Sequence, residues 1–167
     1  MKEVKTVYIV RHAKSSWDTP ELTDHDRPLL DIGIKKTKKI IDFLVSRKVV
    51  PETIISSSAV RARDTAKLIA EGIGFDSNSI TNSKELYYAD PEDIYSELFL
   101  LRNSIKSVML VGHNPTLTDF VNDFMKHEID NFPTSAVCCV EFNTKEWESI
   151  SNAKHNVKFV VYPSMLK

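Results

Sequence analysis

The residues best placed to do chemistry are two histidines that each follow an apolar run. Val7-Tyr8-Ile9-Val10 leads into Arg11-His12, and Val108-Met109-Leu110-Val111 leads into Gly112-His113-Asn114. A third junction, Thr53-Ile54-Ile55 followed by Ser57-Ser58, is trailed closely by Arg61. A phosphoryl group presents dianionic oxygens, so a site for it needs fixed cations and N–H donors, and the guanidinium fork matches phosphate geometry. Arg11, Arg61, His12 and His113 supply that set. A neutral imidazole is also a competent nucleophile toward phosphorus, and the N–P bond it forms breaks readily once its ring is protonated. Taken one at a time these residues have plainer roles, a loop histidine being usually a hydrogen-bonding or surface group and an arginine an ion-pair partner. His25, His127 and His155 fit that plainer role; the case for the other four rests on their shared placement at strand exits.

Residues so far apart in sequence meet only if the fold sets their strand ends side by side. Open α/β sheets do this, with ligands in the crevice at the strand carboxyl ends. Strand-like and helix-like stretches alternate along the chain, which predicts an α/β fold: a three-layer α/β/α sandwich with a mainly parallel central sheet. A helix is expected from about Asp31, with Ile34, Ile40, Ile41 and Leu44 on one side and Lys35, Lys36, Lys38 and Lys39 forming a solvated face. Ser58 is placed to cap a helix from Ala59 toward Gly72, with Arg61 in its first turn. Asp90-Pro91-Glu92-Asp93 is a helix start with Ile94, Leu98 and Leu101 as its stripe. Asn114-Pro115 repeats the signal ahead of Leu117, Phe120, Val121, Phe124 and Met125. The amides that follow Ser58 and Asn114 are available to an anion. Residues 136–142 and 157–162 read as strands, with a hairpin turn at Asn143-Thr144-Lys145 leading to the segment around Trp147.

Composition narrows the class. A chain of 167 residues fits one domain, expected to span 1–167, and 42% hydrophobic with 27% charged residues is ordinary for a globular protein. A net charge of −1 gives no positive field of the kind that sequence-independent nucleic-acid binding needs. Four glycines are too few for a P-loop or dinucleotide fingerprint. Cys138 and Cys139 are neighbours in an expected strand, point to opposite faces and do not pair readily, so reduced packing thiols are expected. No signal h-region precedes Arg11 and no apolar stretch reaches membrane-spanning length, which predicts a cytoplasmic protein with no membrane partner.

The ordered motifs resemble those of the histidine phosphatase superfamily, the phosphoglycerate mutase-like fold, and within it the SixA-type phosphohistidine phosphatases. They are Val10-Arg11-His12-Ala13-Lys14-Ser15-Ser16-Trp17-Asp18, then Asp26-Arg27-Pro28-Leu29 with Gly33, then Ser57-Ser58-Ala59-Val60-Arg61-Ala62 with Thr65-Ala66. Leu86-Tyr87, Val111-Gly112-His113-Asn114-Pro115, Pro133-Thr134 and Pro163 continue the series. The resemblance implies that His12 is the nucleophile, transiently phosphorylated, and that Arg11, Arg61 and His113 bind the phosphate and stabilise its transition state. Ser15 and Asn114 join Arg11, Arg61 and His113 as expected substrate-binding positions. No metal or other cofactor is implied. Glu85 is the best-placed match for an acid that protonates the leaving group, with Asp18 as second choice. Asn114 stands where the acid-phosphatase branch carries an aspartate, which argues against that branch. The implied substrate is phosphohistidine in a protein; the alternatives are a small phosphate ester, or a non-catalytic phosphate-binding module. Lys14, Trp17, Tyr87 and Tyr88 are the expected rim.

Overall fold

The computed structural model describes residues 3–167. Ten principal elements follow the expected alternation. They are β1 (Lys5–Arg11), α1 (Asp31–Ser46), β2 (Thr53–Ser57), α2 (Val60–Ile73), β3 (Thr81–Ser83), α3 (Pro91–Phe99), β4 (Ser107–Gly112), α4 (Thr116–Asn122), β5 (Val137–Phe142) and β6 (His155–Val161). The six strands form one sheet in the order β3-β2-β4-β1-β5-β6. Neighbours are parallel from β3 through β1, whereas β5 and β6 run antiparallel, so the sheet is mainly parallel as predicted.

The period of two along each strand sorts the core into two layers. Val7 and Ile9 of β1, with Val108 and Leu110 of β4, join one cluster with Leu98 of α3 and Phe120 of α4. Val10, Met109 and Val111 face the other side, against Ile40 and Leu44 of α1 and Ala66 and Ile69 of α2. Both faces of the central strands are therefore covered, which explains their nearly continuous apolar runs. The result is the expected three-layer α/β/α sandwich.

Several local expectations are corrected. Ser58 does not cap α2: Ala59 is the N-cap, and the Ser58 hydroxyl is bonded instead to His25 Nε2 at 3.0 Å. The helix passes Gly72 and ends at Gly74, whose φ of +85° suits a residue without a Cβ. Gly72 is a packing glycine, since a Cβ there would run into Ile41 Cγ2 on α1. α4 stops at Asn122, so Phe124 and Met125 pack from beyond the helix. The segment at Trp147 is a 3₁₀ turn, not a strand. Its indole is fully buried and donates to Ile105 O at 2.8 Å, which pins a longer connection between β5 and β6. The Asp90 cap is as expected, with a reciprocal Asp90–Asp93 capping box.

The loop after β1 is clamped onto the start of α1. Leu30 N donates to Lys14 O at 2.9 Å, Ser16 N donates to Pro28 O at 2.8 Å, and Ser15 bridges Leu29. Gly33 makes this approach possible, because a Cβ on it would sit 2.5 Å from Lys14 O and 2.9 Å from Lys14 N. These are backbone atoms of the site loop, so relief requires moving that loop. Gly33→Ala is expected to cost about 1–3 kcal/mol in denaturant unfolding and to lower kcat with it. Gly72→Ala, whose clash is with the Ile41 side chain, is expected to lower stability while leaving kcat close to wild type.

Candidate active site

Register brings the two histidines together. Arg11 of β1 pairs with Gly112 of β4, and Ser56 of β2 pairs with Val111, so three parallel strands end at one level. The residues just past the ends of β1 and β4, His12 and His113, consequently share one crevice, and Ser57 at the end of β2 lies in contact with His113. The His12 and His113 ring centroids are 5.1 Å apart.

The His12 backbone is fixed from several directions. Its N–H donates to Gly112 O at 3.1 Å, and Ser135 N donates to both Arg11 O and His12 O at 3.1 and 3.2 Å. Ala13 N donates to Thr65 Oγ1, which in turn donates to Arg61 O, tying the loop to α2. His12 Nδ1 lies 2.7 Å from Ala13 O. A carbonyl oxygen only accepts, so Nδ1 carries the proton and Nε2 keeps its lone pair. Burial pushes the His12 pKa down to about 3; the Ala13 hydrogen bond works the other way, and His113, Arg61 and Arg11 add to the lowering. His12 is thus a neutral imidazole with a free Nε2, the state a nucleophile needs.

His113 is held by Ser57, whose Oγ accepts from Ala59 N and lies 2.7 Å from Nε2; with the Ser57 hydroxyl hydrogen assigned to Nε2, the proton of the neutral ring is on Nδ1. Burial again lowers the pKa to about 3, followed by the charge of Arg61, with Asp24 opposing and Arg11 and Arg27 assisting. The guanidinium groups are each braced along one edge. Arg11 Nη1 donates to Phe132 O at 3.1 Å. Arg61 donates through Nη1 to Asp24 O at 2.7 Å and through Nη2 to Asp24 Oδ2 at 3.0 Å. Asp24 also accepts from the Tyr87 hydroxyl at 2.6 Å. Burial raises the Asp24 pKa, but the Tyr87 hydrogen bond and Arg61 outweigh it and hold the carboxyl below its ordinary range. Arg27 is buried, stacks on Trp17 at 3.4 Å and approaches Asp24 Oδ1 at 3.2 Å, out of line for a hydrogen bond.

Unpartnered donors mark what the site is built to receive. Among the described residues, the buried side-chain nitrogens and oxygens without a hydrogen-bond partner are Arg11 Nε, Arg27 Nε and Nη1, Arg61 Nε and His113 Nδ1. All four residues line one cavity of about 1040 Å³, together with His12. Orphaned buried donors cost roughly 1–3 kcal/mol each, more when charged, and such groups are rare in native proteins. Here they converge on one cavity, an arrangement whose chemistry suits an anion.

Other expected site residues fall in different places. Ser15, Lys14, Trp17, Tyr87 and Tyr88 line the cavity, the last two with ring centroids 4.2 Å apart and planes tilted by 41°. Asn114 lines it too, but its amide is spent on structure. Its Nδ2 donates to Asn131 Oδ1 and Phe132 O, and its Oδ1 accepts from Thr118 N and Oγ1. Glu85 is exposed on the 3₁₀ turn after β3 and outside the lining, whose carboxylates are those of Asp18 and Asp24. Asp24, Arg27 and Lys36 are site residues that sequence reasoning missed. Arg27 lies within a motif of the resemblance that gives it no role, and the spacing of Lys36 predicts a solvated face. Asp24 carried no signal, because only contact with Arg61 gives it meaning. Among the described residues no three His, Cys, Asp or Glu side chains cluster as metal ligands, and no helix is long and apolar enough to cross a membrane.

Comparison with known proteins agrees with this geometry. The structure is similar to that of the protein histidine phosphatase SixA complexed with tungstate, with a TM-score of 0.82 at 25% identity over 97% of this chain and 99% of that one. A mycobacterial glucosyl-3-phosphoglycerate phosphatase shares the fold, with a TM-score of 0.65 at 14% identity over 93% and 98% of the two chains. In sequence, an uncharacterized protein of Mycobacterium leprae is 28% identical over 77% of this chain and 84% of its own length. Residues 7–98 match the histidine phosphatase superfamily (branch 1). That match spans more than half of the chain, which belongs to the histidine phosphatase superfamily, branch 1.

Proposed function

We propose that this protein is a metal-independent phosphatase that works through a phosphorylated His12 and acts on phosphohistidine in proteins. The observation that carries this reading is the set of buried, unpartnered donors on Arg11, Arg27, Arg61 and His113 around one cavity. Those donors match the oxygens of a tetrahedral dianion, and a SixA structure similar to this one holds tungstate, an oxyanion of that shape.

In the proposed reaction His12 Nε2 attacks phosphorus in line, the bond from phosphorus to the substrate imidazole breaks, and that imidazole takes up a proton from solvent. The arginines and His113 hold the equatorial oxygens as charge redistributes, the preorganised stabilisation that is usually the largest catalytic contribution. Water then attacks the phosphoenzyme, releasing inorganic phosphate and restoring neutral His12. The fixed cations take the charge-neutralising role that a divalent ion plays elsewhere.

The leaving group supports a phosphoramidate over an alkyl ester. Asp24 is held ionised by Arg61 and Tyr87, so it is a poor proton donor. Glu85 reaches the reaction only through solvent, and Asp18 is the carboxylate of the lining that is in no ion pair among the described residues. An imidazole departs with far less acid assistance than an alkoxide. The wide cavity also suits a side chain presented by another protein. Cys138 and Cys139 are free and buried thiols suited to a reducing compartment, and we place the enzyme in the cytoplasm.

His12→Ala is expected to abolish turnover and to remove an acid-labile, base-stable phosphate that rapid quenching detects on the wild-type chain; residual turnover at the wild-type rate overturns the assignment. Chelator is expected to leave the rate unchanged. The histidine pKa values set a pH window for stability. Unfolded histidines bind protons below about pH 6.5, whereas His12 and His113 in the fold do so only near 3. The unfolded state therefore holds more protons between those values, and stability falls as pH drops from about 6.5 toward 3. Urea midpoints measured at pH 7 and pH 5 should show this fall, and His113→Gln should reduce it.

A further inference from the structure

Beyond the Tyr87 ring lies a second concavity of about 380 Å³, lined by His25, Ser58, Arg63, Asn82, Lys84 and Tyr87. Tyr87 belongs to both linings, so the groove adjoins the active cavity across this ring. Its cations come from two elements. Arg63 lies two positions after Arg61 on α2, a rotation of about 200° that turns it outward while Arg61 is buried in the crevice. Lys84 opens the 3₁₀ turn that follows β3, and both side chains are exposed.

The charge of this groove is one-sided. Its lining contains no carboxylate, unlike the active cavity with Asp18 and Asp24. Among the described residues neither Arg63 nor Lys84 takes part in an ion pair. Two carboxylates are bonded to lining residues: Asp24 accepts from the Tyr87 hydroxyl at 2.6 Å and is also paired with Arg61, and Asp26 is engaged by His25 Nδ1 at 3.3 Å, the other nitrogen of that imidazole meeting Ser58. Asn82 and Ser58 add polar groups beside the cations. Two cations with neighbouring hydrogen-bonding side chains complement a carboxylate. The path back to the reaction is short: the His25 ring is 4.9 Å from Tyr87, and Tyr87 is 5.6 Å from His113. Those two steps span roughly three residues of extended chain.

We propose that this groove binds an acidic side chain of the substrate protein, an Asp or Glu within about three residues of the phosphohistidine, and so selects substrates by their flank. The proposal rests on the phosphohistidine-protein reading above. Three probes separate the two: a phosphohistidine peptide with Glu on both flanks, the same peptide with Gln at those positions, and phosphoramidate, which has no flank. Wild type is expected to favour the Glu peptide in kcat/KM by about threefold to tenfold at low salt, and the preference should collapse in about 0.5 M NaCl. The double variant Arg63→Glu/Lys84→Glu is expected to invert the preference while phosphoramidate turnover changes by less than about threefold. Arg63→Gln/Lys84→Gln should abolish it at an unchanged Tm. Equal wild-type rates on the two peptides, or a Glu preference that survives charge reversal, overturns the groove assignment alone. Phosphoramidate turnover with neither peptide hydrolysed overturns the protein-substrate reading, and the groove with it.

Discussion

Everything in this active site follows from donors that the fold buries and leaves unsatisfied. Guanidinium groups in a protein interior normally give all their hydrogens to carboxylates or carbonyls. Here Asp24 and Phe132 take only one edge of Arg61 and Arg11, and the Nε atoms remain unpartnered. Burial, assisted by the same cluster of positive charge, keeps both histidines neutral. One constraint therefore produces two properties that a phosphoryl-transfer site needs: a binding surface for the dianion, and an imidazole with its lone pair free. Buried donors without partners cost stability, and under the proposed function an oxyanion that they bind offsets that cost.

The sheet converts this local demand into a global one. The parallel pairing of β2, β4 and β1 is what puts three loop starts at one level, and the layers on both faces hold those strands in register. Second contacts then fix the loops. Gly33 lets α1 touch the Lys14 backbone, Thr65 ties Ala13 to α2, and Ser135 caps the carbonyls of Arg11 and His12. Ser135 holds a positive φ of 61° while almost fully buried, and its hydroxyl is anchored on Thr37 at 2.8 Å. Precision at His12 thus draws on α1, α2 and the segment before β5 together.

Much of this was legible in the sequence because it depends on short-range signals. Apolar runs that lead into Arg11-His12 and into Gly112-His113 mark strand exits, and Asp90-Pro91 marks a helix start by cap chemistry alone. What escaped depends on contacts between distant residues. Asp24 and Arg61 are 37 positions apart, so nothing local distinguishes Asp24 from a solvated acid. Lys36 shares its spacing with three solvated lysines, and only the loop opposite α1 makes it part of a cavity. Glu85 looked suitable by order along the chain, yet the turn after β3 directs it to solvent. Ser58 looked like a cap and became a partner of His25, because backbone geometry assigned the cap to Ala59.

The most direct test is a crystal structure of the protein soaked with tungstate. The account predicts one oxyanion in the cavity, within hydrogen-bond reach of Arg11, Arg61 and His113, with His12 Nε2 facing the central atom. An oxyanion bound elsewhere, or a cavity that stays empty at saturating tungstate while those donors pair with protein atoms, contradicts it.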